Sequence, residues 1–238
     1  LKDPDIYDHR NIHCDVLVVG AGISGILAAK NAAKNNYKTL LLDEKNELGG
    51  STIYENNESN KIDNKISSEW LKKEIEELKN IKNLEIKTRT SVAAYHQYNY
   101  LLARENLTDH LEKKDKTNKI RQRLLKIRAK KVILATGALE RPMVFNNNDR
   151  PGIMLSSAIK KYSDFYGVAC GRKIIFFTNN DSAYESALSL NDKGIKVEAV
   201  VDIRKQSETN LEKRVIDAGI KIYWEHTVVD TSGYKRLN

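Results

Sequence analysis

The order of apolar and polar positions along the chain predicts strands and helices in alternation. Asp15 to Val19 is a short, nearly all-apolar run rich in valine, which is typical of a parallel strand buried on both faces. Apolar residues from Ile26 to Ala33 recur at helical spacing, and Thr39 to Leu42 forms a second apolar run that ends in Asp43 and Glu44. The opening of the chain therefore predicts one complete βαβ unit.

The same pattern starts again in the second half of the chain. Ser156 to Tyr166 predicts a helix capped by Ser156 or Ser157, and the run from Lys173 to Val201 predicts a strand, a helix and a strand. The other predicted elements are a helix over 68–79, strands over 84–88, 92–95 and 131–137, a hairpin with a solvated tip within 96–122, a helix over 211–218, a strand over 220–224 and the start of another at Val228.

These elements predict an α/β protein of the FAD/NAD(P)-binding two-Rossmann architecture. In this fold class a parallel sheet has helices on both faces, and a second nucleotide-binding domain is inserted in the first. We assign residues 1–13 to a polar lead-in linker, 14–140 to the first Rossmann domain and 141–238 to the second. The return of the chain to the first sheet is missing, so we interpret the sequence as a fragment in which both domains are incomplete.

The turn between the first strand and the first helix carries a GxGxxG pattern formed by Gly20, Gly22 and Gly25. Gly20 permits the tight turn, Gly22 lets the backbone approach a pyrophosphate with no Cβ in the way, and Gly25 lets the helix pack close to the sheet. The free N–H groups and the positive dipole end of the helix favour phosphate binding. Placed between a strand and a helix, the pattern predicts a dinucleotide site.

Further candidate residues follow the second predicted strand. Asp43 or Glu44, roughly 20 residues beyond the glycines, can accept hydrogen bonds from an adenosine ribose. Gly50, the second of a pair of glycines, lets a loop pass close to a nucleotide, and the hydroxyl of Ser51 can donate to phosphate. The alternative interpretation of this glycine pair is a flexible turn.

A third group of small residues ends the strand predicted over 131–137. Thr136 and Gly137 follow Ala135 there, and small residues at a strand end allow a close approach of the backbone to a ligand. Together with the glycine turn, this ending favours a flavin-binding or pyridine-nucleotide-binding domain.

The second unit does not repeat the glycine turn. Aligned on the first unit, the glycine positions become Thr178, Asn180 and Ala183. The Asn180 side chain fills space that a pyrophosphate needs, and Asp181 sets a carboxylate beside two phosphate charges, which is repulsive by about 1 kcal/mol or more. We therefore expect the second unit to keep the fold without a nucleotide.

Composition excludes several classes of protein. The net charge is +8, but lysines are scattered rather than gathered on one helix, so nucleic-acid binding has weak support, although a basic surface could dock an acidic partner subunit. No run approaches the ~18 apolar residues of a membrane span. Cys14 and Cys170 stand apart in no CxxC pattern, which favours a reduced, cytoplasmic setting. We interpret His9, His13 and Cys14 as part of a packed or hydrogen-bonded linker rather than a metal cluster.

Five segments of the chain resemble the α subunit of heterotetrameric sarcosine oxidase. They are HCDVLVVGAG, LLLDEKNELGG, ATGALERP, NNDRPGIMLSSA and FFTNNDSAYESAL. The resemblance runs from about Tyr7 to the end of the chain. The segment FTNNDSAY is the most specific of these, because it replaces a glycine fingerprint with an unusual sequence.

The resemblance implies that the complex oxidises sarcosine with oxygen to glycine and hydrogen peroxide, while tetrahydrofolate captures the one-carbon unit as 5,10-methylene-tetrahydrofolate. It implies β, γ and δ subunits as partners, with covalent FMN and FAD mainly on the β subunit or its interface. It further implies NAD in the first Rossmann site, with a structural role and no catalytic residue in this region. The NAD contacts that it implies are Ser24, Asp43, Glu44, Lys45, Ser51 and Val92.

The sequence leaves two alternatives open and excludes a third. A subunit of an opine oxidase or of hydrogen cyanide synthase would hold FAD in the first site, and a pure assembly module would hold no nucleotide. A thioredoxin-reductase-like enzyme needs a redox cysteine pair and a working second glycine turn. The chain offers neither.

Overall fold

The structure of the chain, a computed structural model, describes residues 3, 5–54, 61–112 and 119–237. The chain divides into two units, Leu1–Gly137 and Ala138–Asn238. In the part of the chain that the structure describes, no helix is long and apolar enough to cross a membrane.

The first unit is built on a six-stranded sheet. Its strand order is β5-β2-β1-β8-β7-β6, with parallel pairing from β5 to β8 and antiparallel pairing from β8 to β6. The strands are β1 (Ile6–Val19), β2 (Thr39–Leu42), β5 (Leu84–Lys87), β6 (Thr90–His96), β7 (Tyr100–Asn106) and β8 (Ile120–Leu134); β3 (Lys61–Ile62) and β4 (Lys65–Ile66) form a separate small hairpin, and the helices are α1 (Ile23–Lys34) and α2 (Ser67–Lys79).

Two core clusters cover the two faces of this sheet. Helices α1 and α2 pack on one face around Val18 and Leu41, which are fully buried. On the opposite face, Leu17 and Leu42 pack with residues of β7 and β8. The α/β class is confirmed, but the expectation of helices on both faces differs from the structure. Among the described residues, the core on the second face is formed by side chains of β1, β2, β7 and β8 and contains no residue of a helix.

Residues 6–13, which the sequence assigns to a linker, are the first half of β1. They pair in parallel with β8 from Ile120 onward. The prediction was wrong because this segment has few apolar residues and because most of its side chains are exposed. The strand predicted over 131–137 is likewise the end of one longer strand, β8, which begins at Ile120. The predicted hairpin of β7 and β8 is confirmed by their pairing, and its tip at 113–118 lies outside the described residues.

The second unit repeats the alternation of strands and helices. Its sheet has the order β11-β10-β9 with parallel pairs, and its helices share one core around Tyr184 and Val200. The elements are α3 (Ser156–Tyr166), β9 (Lys173–Thr178), α4 (Ser182–Asp192), β10 (Lys196–Asp202), α5 (Asn210–Asp217) and β11 (Lys221–Trp224).

Two details of the second unit differ from the prediction. Neither Ser156 nor Ser157 caps α3 with its side chain; the carboxylate of Glu140 accepts their backbone N–H groups at 3.0 and 2.7 Å. An acid from an earlier loop does the work of a serine cap because it reaches both N–H groups at once. The strand expected at Val228 is absent from the described residues 225–230.

A group of charged side chains is buried where β1, β7 and β8 meet. Arg123, 9% exposed, lies 2.8 Å from the carboxylate of Asp8 and 3.5 Å from that of Glu105. Glu105, 7% exposed, also accepts a bond of 2.9 Å from Lys87. The hydrogen bond from Arg123 lowers the pKa of Asp8. Buried charges are tolerated when each has a partner, so Arg123 is required by the two carboxylates that it joins.

Replacing Arg123 by methionine should destabilise the protein by about 2–3 kcal/mol, because Glu105 would remain buried with less compensation. Urea unfolding followed by circular dichroism measures this. Arg121→Met is the matched control: Arg121 also pairs with aspartates, but its side chain is 42% exposed, so the loss should be much smaller. Equal losses for both variants would contradict a special role for the buried group.

Candidate functional site

The glycine turn lies at the carboxyl end of β1, between the ends of β2 and β8. Gly20 donates its N–H to the carbonyl of Leu42, and Ala135 donates to the carbonyl of Val19, both at 2.8 Å. Gly20 has φ of 98°, and a Cβ there would lie 2.2 Å from the carbonyl oxygen of Ala135. Only glycine fits this position, because both the backbone angle and the space exclude a side chain.

The next two glycines of the pattern have opposite surroundings. A Cβ on Gly25 would lie 1.8 Å from the carbonyl oxygen of Gly20, so Gly25 is what allows α1 to approach the turn. A Cβ on Gly22 would meet nothing within 4 Å. The lack of a side chain at Gly22 therefore has no packing purpose in the described structure, and it leaves open space directly before the helix.

The amino end of α1 faces this open space without a cap. Gly22 is the N-cap residue, no side chain bonds the first turn, and the first turn contains no acidic residue. Ser24 is exposed in that turn. Uncapped N–H groups and the positive end of the helix dipole attract an anion. The arrangement fits a phosphate group.

Asp43 ties this turn to the end of β2. Its side chain is 8% exposed, one carboxylate oxygen accepts the N–H of Ala21 at 2.6 Å, and the other accepts the N–H of Lys45 at 2.8 Å. Its backbone N–H donates to Lys87 and its carbonyl accepts from Thr90. Asp43 thus joins the end of β2 to the glycine turn, to the end of β5 and to the start of β6.

Glu44 and Lys45 follow directly and are more accessible. Glu44 is exposed and Lys45 is half-buried. Arg89 donates its N–H to the carbonyl of Lys45 at 2.8 Å, so the start of β6 crosses the end of β2. Val92 lies beyond this crossing and packs on the strand-covered core. Of the two acids at the end of β2, Glu44 has the exposed carboxylate and Asp43 the buried one.

The paired glycines after β2 pack against the glycine turn. Gly49 donates its N–H to the carbonyl of Ala21 at 2.7 Å, and a Cβ on Gly50 would lie 3.0 Å from the Cα of Gly22. Both glycines have positive φ. Ser51, next in the chain, is exposed. The alternative of a merely flexible turn does not describe these contacts, because the loop is fixed to the turn that it covers.

The end of β8 closes the third side of the site. Ala135 contacts Gly20, and Thr136 and Gly137 follow as exposed residues. Gly137 has φ of 71° and open space around its would-be Cβ. The structure thus brings the glycine turn, the end of β2, the glycine pair and the end of β8 together. Sequence reasoning missed Ala21 and Ala135, whose backbone groups make these contacts and whose side chains carry no signal.

Cys14 does not lie at the turn, because six residues of extended strand, about 20 Å, separate it from Gly20. Burial raises the pKa of its thiol to about 11, so this thiol stays protonated near neutral pH, and Cys170 belongs to the other unit. Among the residues that the structure describes, no group of three or more His, Cys, Asp or Glu could hold a metal ion. The chemistry present is that of backbone N–H donors and carboxylate acceptors.

The corresponding place in the second unit is filled by charged side chains. Asp202 ends β10, is 1% exposed and accepts hydrogen bonds from Tyr184 at 2.8 Å and from the guanidinium of Arg204 at 2.7 Å. Arg204 also donates to Asp181 at 2.8 Å. Burial opposes ionisation of Asp202, but the bonds from Arg204 outweigh it and lower the pKa of the carboxyl.

The turn itself is closed by its own side chains. The Asn180 side-chain oxygen accepts the N–H of Ser182 at 3.1 Å, so it occupies the start of α4. The Thr178 hydroxyl donates to the carbonyl of Asn180 at 2.9 Å and accepts its N–H at 3.1 Å. The N–H groups that bind phosphate in a glycine turn are thus used internally, which supports the expectation of a fold without a nucleotide.

Arg204→Met should destabilise the protein by about 2 kcal/mol at pH 7, because buried Asp202 loses its cation. The pKa of Asp202 is lowered by folding, so this contribution is complete above the ordinary value of about 4 and is lost as pH falls through the lowered folded value. The difference between the variant and the native protein should therefore shrink below about pH 4.

Urea unfolding at a series of pH values measures this difference. Lys205→Met is the control, since it removes the same charge from the adjacent exposed residue and should change stability little. A destabilisation by Arg204→Met that stays constant down to the acid limit would contradict the assigned ion pair.

Comparison with known proteins agrees with this architecture. A family model described as pyridine nucleotide-disulphide oxidoreductase matches residues 14–237. Sarcosine oxidase subunit alpha from Corynebacterium sp. (strain P-1) is 41% identical over 96% of this chain, and that from Rhizobium meliloti (strain 1021) is 34% identical over 99% of it. The chain spans 23% of the length of each relative.

Among solved structures, L-proline dehydrogenase from P. horikoshii is 27% identical and matches with a TM-score of 0.65 over 85% of this chain and 38% of that chain. The resemblance to sarcosine oxidase α subunits is confirmed by the two relatives, and the two-Rossmann fold class is confirmed by the family match and this structure. The chain therefore belongs to the pyridine nucleotide-disulphide oxidoreductase family.

Proposed function

We propose that the first unit is the NAD-binding region of the α subunit of a heterotetrameric sarcosine oxidase. The observation that carries the proposal is the open space at Gly22 before the uncapped amino end of α1. A pyrophosphate is the anion that a strand, glycine turn and helix in this order accommodate. The second unit has its equivalent N–H groups bonded internally, so we propose one dinucleotide site.

We assign some of these residues to contacts with the dinucleotide and others to holding the contact residues in position. We assign the pyrophosphate to the backbone at Gly22 and to Ser24 and Ser51, with Thr136 and Gly137 alongside. We assign the ribose to Glu44, because its carboxylate is exposed while both oxygens of Asp43 already accept backbone bonds. Asp43 is then a positioning residue. We assign Lys45 and Val92 to the adenosine end of the dinucleotide.

We infer that the dinucleotide has a structural role. NAD supplies a hydride acceptor when it reacts, and such a step needs groups that orient and deprotonate a substrate. The described residues around the turn are glycine, alanine, serine and threonine, together with Asp43, whose carboxylate is already bonded, and Glu44 and Lys45, which we assign to the adenosine end. What the turn offers is recognition of phosphate and ribose.

The whole protein is proposed to act within a larger complex. The relatives' names describe an alpha subunit, and this chain spans 23% of their length. We propose β, γ and δ subunits as partners, FAD and FMN mainly on the β subunit, and oxidative demethylation of sarcosine with oxygen and tetrahydrofolate in the assembled enzyme. We propose a cytoplasmic setting, because Cys14 and Cys170 are unpaired and such thiols suit a reducing compartment.

The first experiment identifies the nucleotide. The full-length subunit is purified with its partners and denatured, and the released nucleotide is identified by mass spectrometry and absorbance. We expect NAD from the native protein and none from Gly22→Val, whose side chain enters open space that a pyrophosphate would occupy, with unchanged folding. Release of FAD attributable to this site would favour the opine-oxidase or hydrogen cyanide synthase alternative. Release of nothing would favour the nucleotide-free assembly module.

A second experiment separates the two acids at the end of β2. Glu44→Gln should weaken the binding of ADP to the nucleotide-free protein by about 10-fold or more, as expected for the loss of a charged hydrogen-bond acceptor, without changing the midpoint of thermal unfolding. Asp43→Asn should lower that midpoint, because an amide cannot accept both N–H groups. Glu47→Gln, a change at another exposed glutamate, is the control.

Calorimetric titration and thermal unfolding of the same samples supply both readouts. A normal ADP affinity in Glu44→Gln combined with a large loss in stable Asp43→Asn would reverse the assignment of the two acids.

A further inference from the structure

One face of the antiparallel part of the first sheet is basic. Alternate residues of a strand share a face, and on β8 the exposed Leu124 and Arg128 share one with the half-buried Lys126, while the residues between them are fully buried. The register of β7 places Arg104 opposite Leu124, and Arg104 is exposed. We call the surface formed by Arg104, Lys126, Arg128 and their cross-strand neighbours the basic face.

Three histidines extend the basic face across its outer strands. His9 pairs with Leu124 and His13 with Arg128 in the register of β1, and His96 of β6 pairs with Tyr100, which itself pairs with Arg128. All three histidines are exposed. Three of the five histidines of the chain thus lie on one surface beside three permanent cations.

Asp15 of β1 brings a carboxylate to this surface, where it pairs with Lys130 of β8 at 2.8 Å. The cross-strand partners of Arg104, Lys126 and Arg128 are serine, leucine, asparagine, histidine and tyrosine, and these three cations form none of the ion pairs of the described residues. The nearest contrast is on the buried face of the same strand, where Arg123 has two carboxylate partners. The charge of the basic face is therefore available to another molecule.

Arg128 is held in a fixed position on this face. Its guanidinium lies 5.0 Å from the centroid of the Tyr100 ring, and it reaches the carbonyl of Tyr98 within 3.5 Å. Tyr98 is 86% exposed at the adjoining hairpin between β6 and β7. An arginine fixed on an aromatic ring beside an exposed tyrosine is the composition of an interface anchor, because little side-chain entropy remains to be lost.

The chemistry of the face favours an acidic protein surface over a nucleic acid. Single strands bind to sheets through free aromatic rings that the strands themselves present. Here the ring of the strand residue Tyr100 is covered by Arg128, and the exposed ring of Tyr98 lies in the turn between β6 and β7. Leu102 and Leu124 lie among the cations, which suits the mixed apolar and charged surface of a protein interface. Unpaired cations around such residues select a partner of opposite charge and speed its association.

We propose that the basic face docks an acidic surface of another subunit of the same complex. The proposal rests on the proposed function in so far as the partner is a subunit of that complex. Docking pairs Arg104, Lys126 and Arg128 with carboxylates of the partner, while Tyr98 and the leucines supply apolar contact.

The test uses the full-length subunit co-expressed with its partner subunits. Lys126→Glu combined with Arg128→Glu should weaken subunit association roughly tenfold or more at low salt, with a smaller effect at high salt, where charges are screened. Analytical ultracentrifugation at several salt concentrations measures association. Lys72→Glu combined with Lys82→Glu reverses two exposed lysines elsewhere in the same unit and should leave association unchanged.

A second measurement does not depend on the variants. In the native complex, acetylation of Lys126 by acetic anhydride should be slower than in the isolated subunit, while acetylation of Lys72 should not change. Unaltered association of the double variant at every salt concentration, equal acetylation of Lys126 in both states, or failure of the full-length protein to associate with any subunit would overturn the proposal. Loss of binding to a fluorescent single-stranded RNA with association intact would assign the face to nucleic acid instead.

The outcome is separable from that of the nucleotide experiment. Released NAD with unaltered association leaves the dinucleotide site standing and removes the docking face. Weakened association without released NAD does the reverse.

Discussion

The carboxylate of Asp43 is the interaction on which the geometry of the first unit depends. The carboxyl ends of β1, β2 and β8 meet at the site. Asp43 joins the end of β2 to the turn after β1 by accepting the N–H group of Ala21, and it also accepts that of Lys45, while its backbone bonds to the end of β5 and the start of β6. A carboxylate with two backbone donors is well satisfied when buried. The adjacent glycine contacts can then be close because the turn is fixed in place.

The two βαβ units show how the same fold is opened or closed to a nucleotide. In the first unit, Asp43 at the end of β2 accepts a backbone N–H group of the turn, and Gly22 faces open space. In the second, the equivalent acid, Asp202, binds Arg204, and Arg204 reaches Asp181 at the turn. In the second unit an internal anion takes the place of a bound phosphate, because the carboxylate of Asp181 lies at the turn and pairs with Arg204. Stability of the second unit thus comes at the expense of binding.

The sequence predicts the elements that depend on local interactions and misses those that depend on residues far away along the chain. The helix at Ser156–Tyr166 and the strand at Thr39–Leu42 were predicted to the residue, because apolar periodicity is local. The first half of β1 was missed because its partner is β8, more than a hundred residues away, and because polar side chains cover its outer surface. The cap of α3 was missed for the same reason, since Glu140 lies in a preceding loop. At the site, the pattern gave the glycines, but only the contacts distinguish the buried Asp43 from the exposed Glu44.

The strand β8 connects these observations, because a cation on its inner face has two carboxylate partners, whereas two cations on its outer face have none among the described residues. On the inner face Arg123 is matched by Asp8 and Glu105, as a buried cation must be. On the outer face Lys126 and Arg128 have no such match among the described residues, and solvent screens them there. A free subunit can carry that surface at little cost, but the same strand ends at the glycine turn through Ala135. An interface on the outer face of β8 would therefore lie on the same rigid element as the dinucleotide site, which is the structural basis on which binding and assembly could stabilise each other.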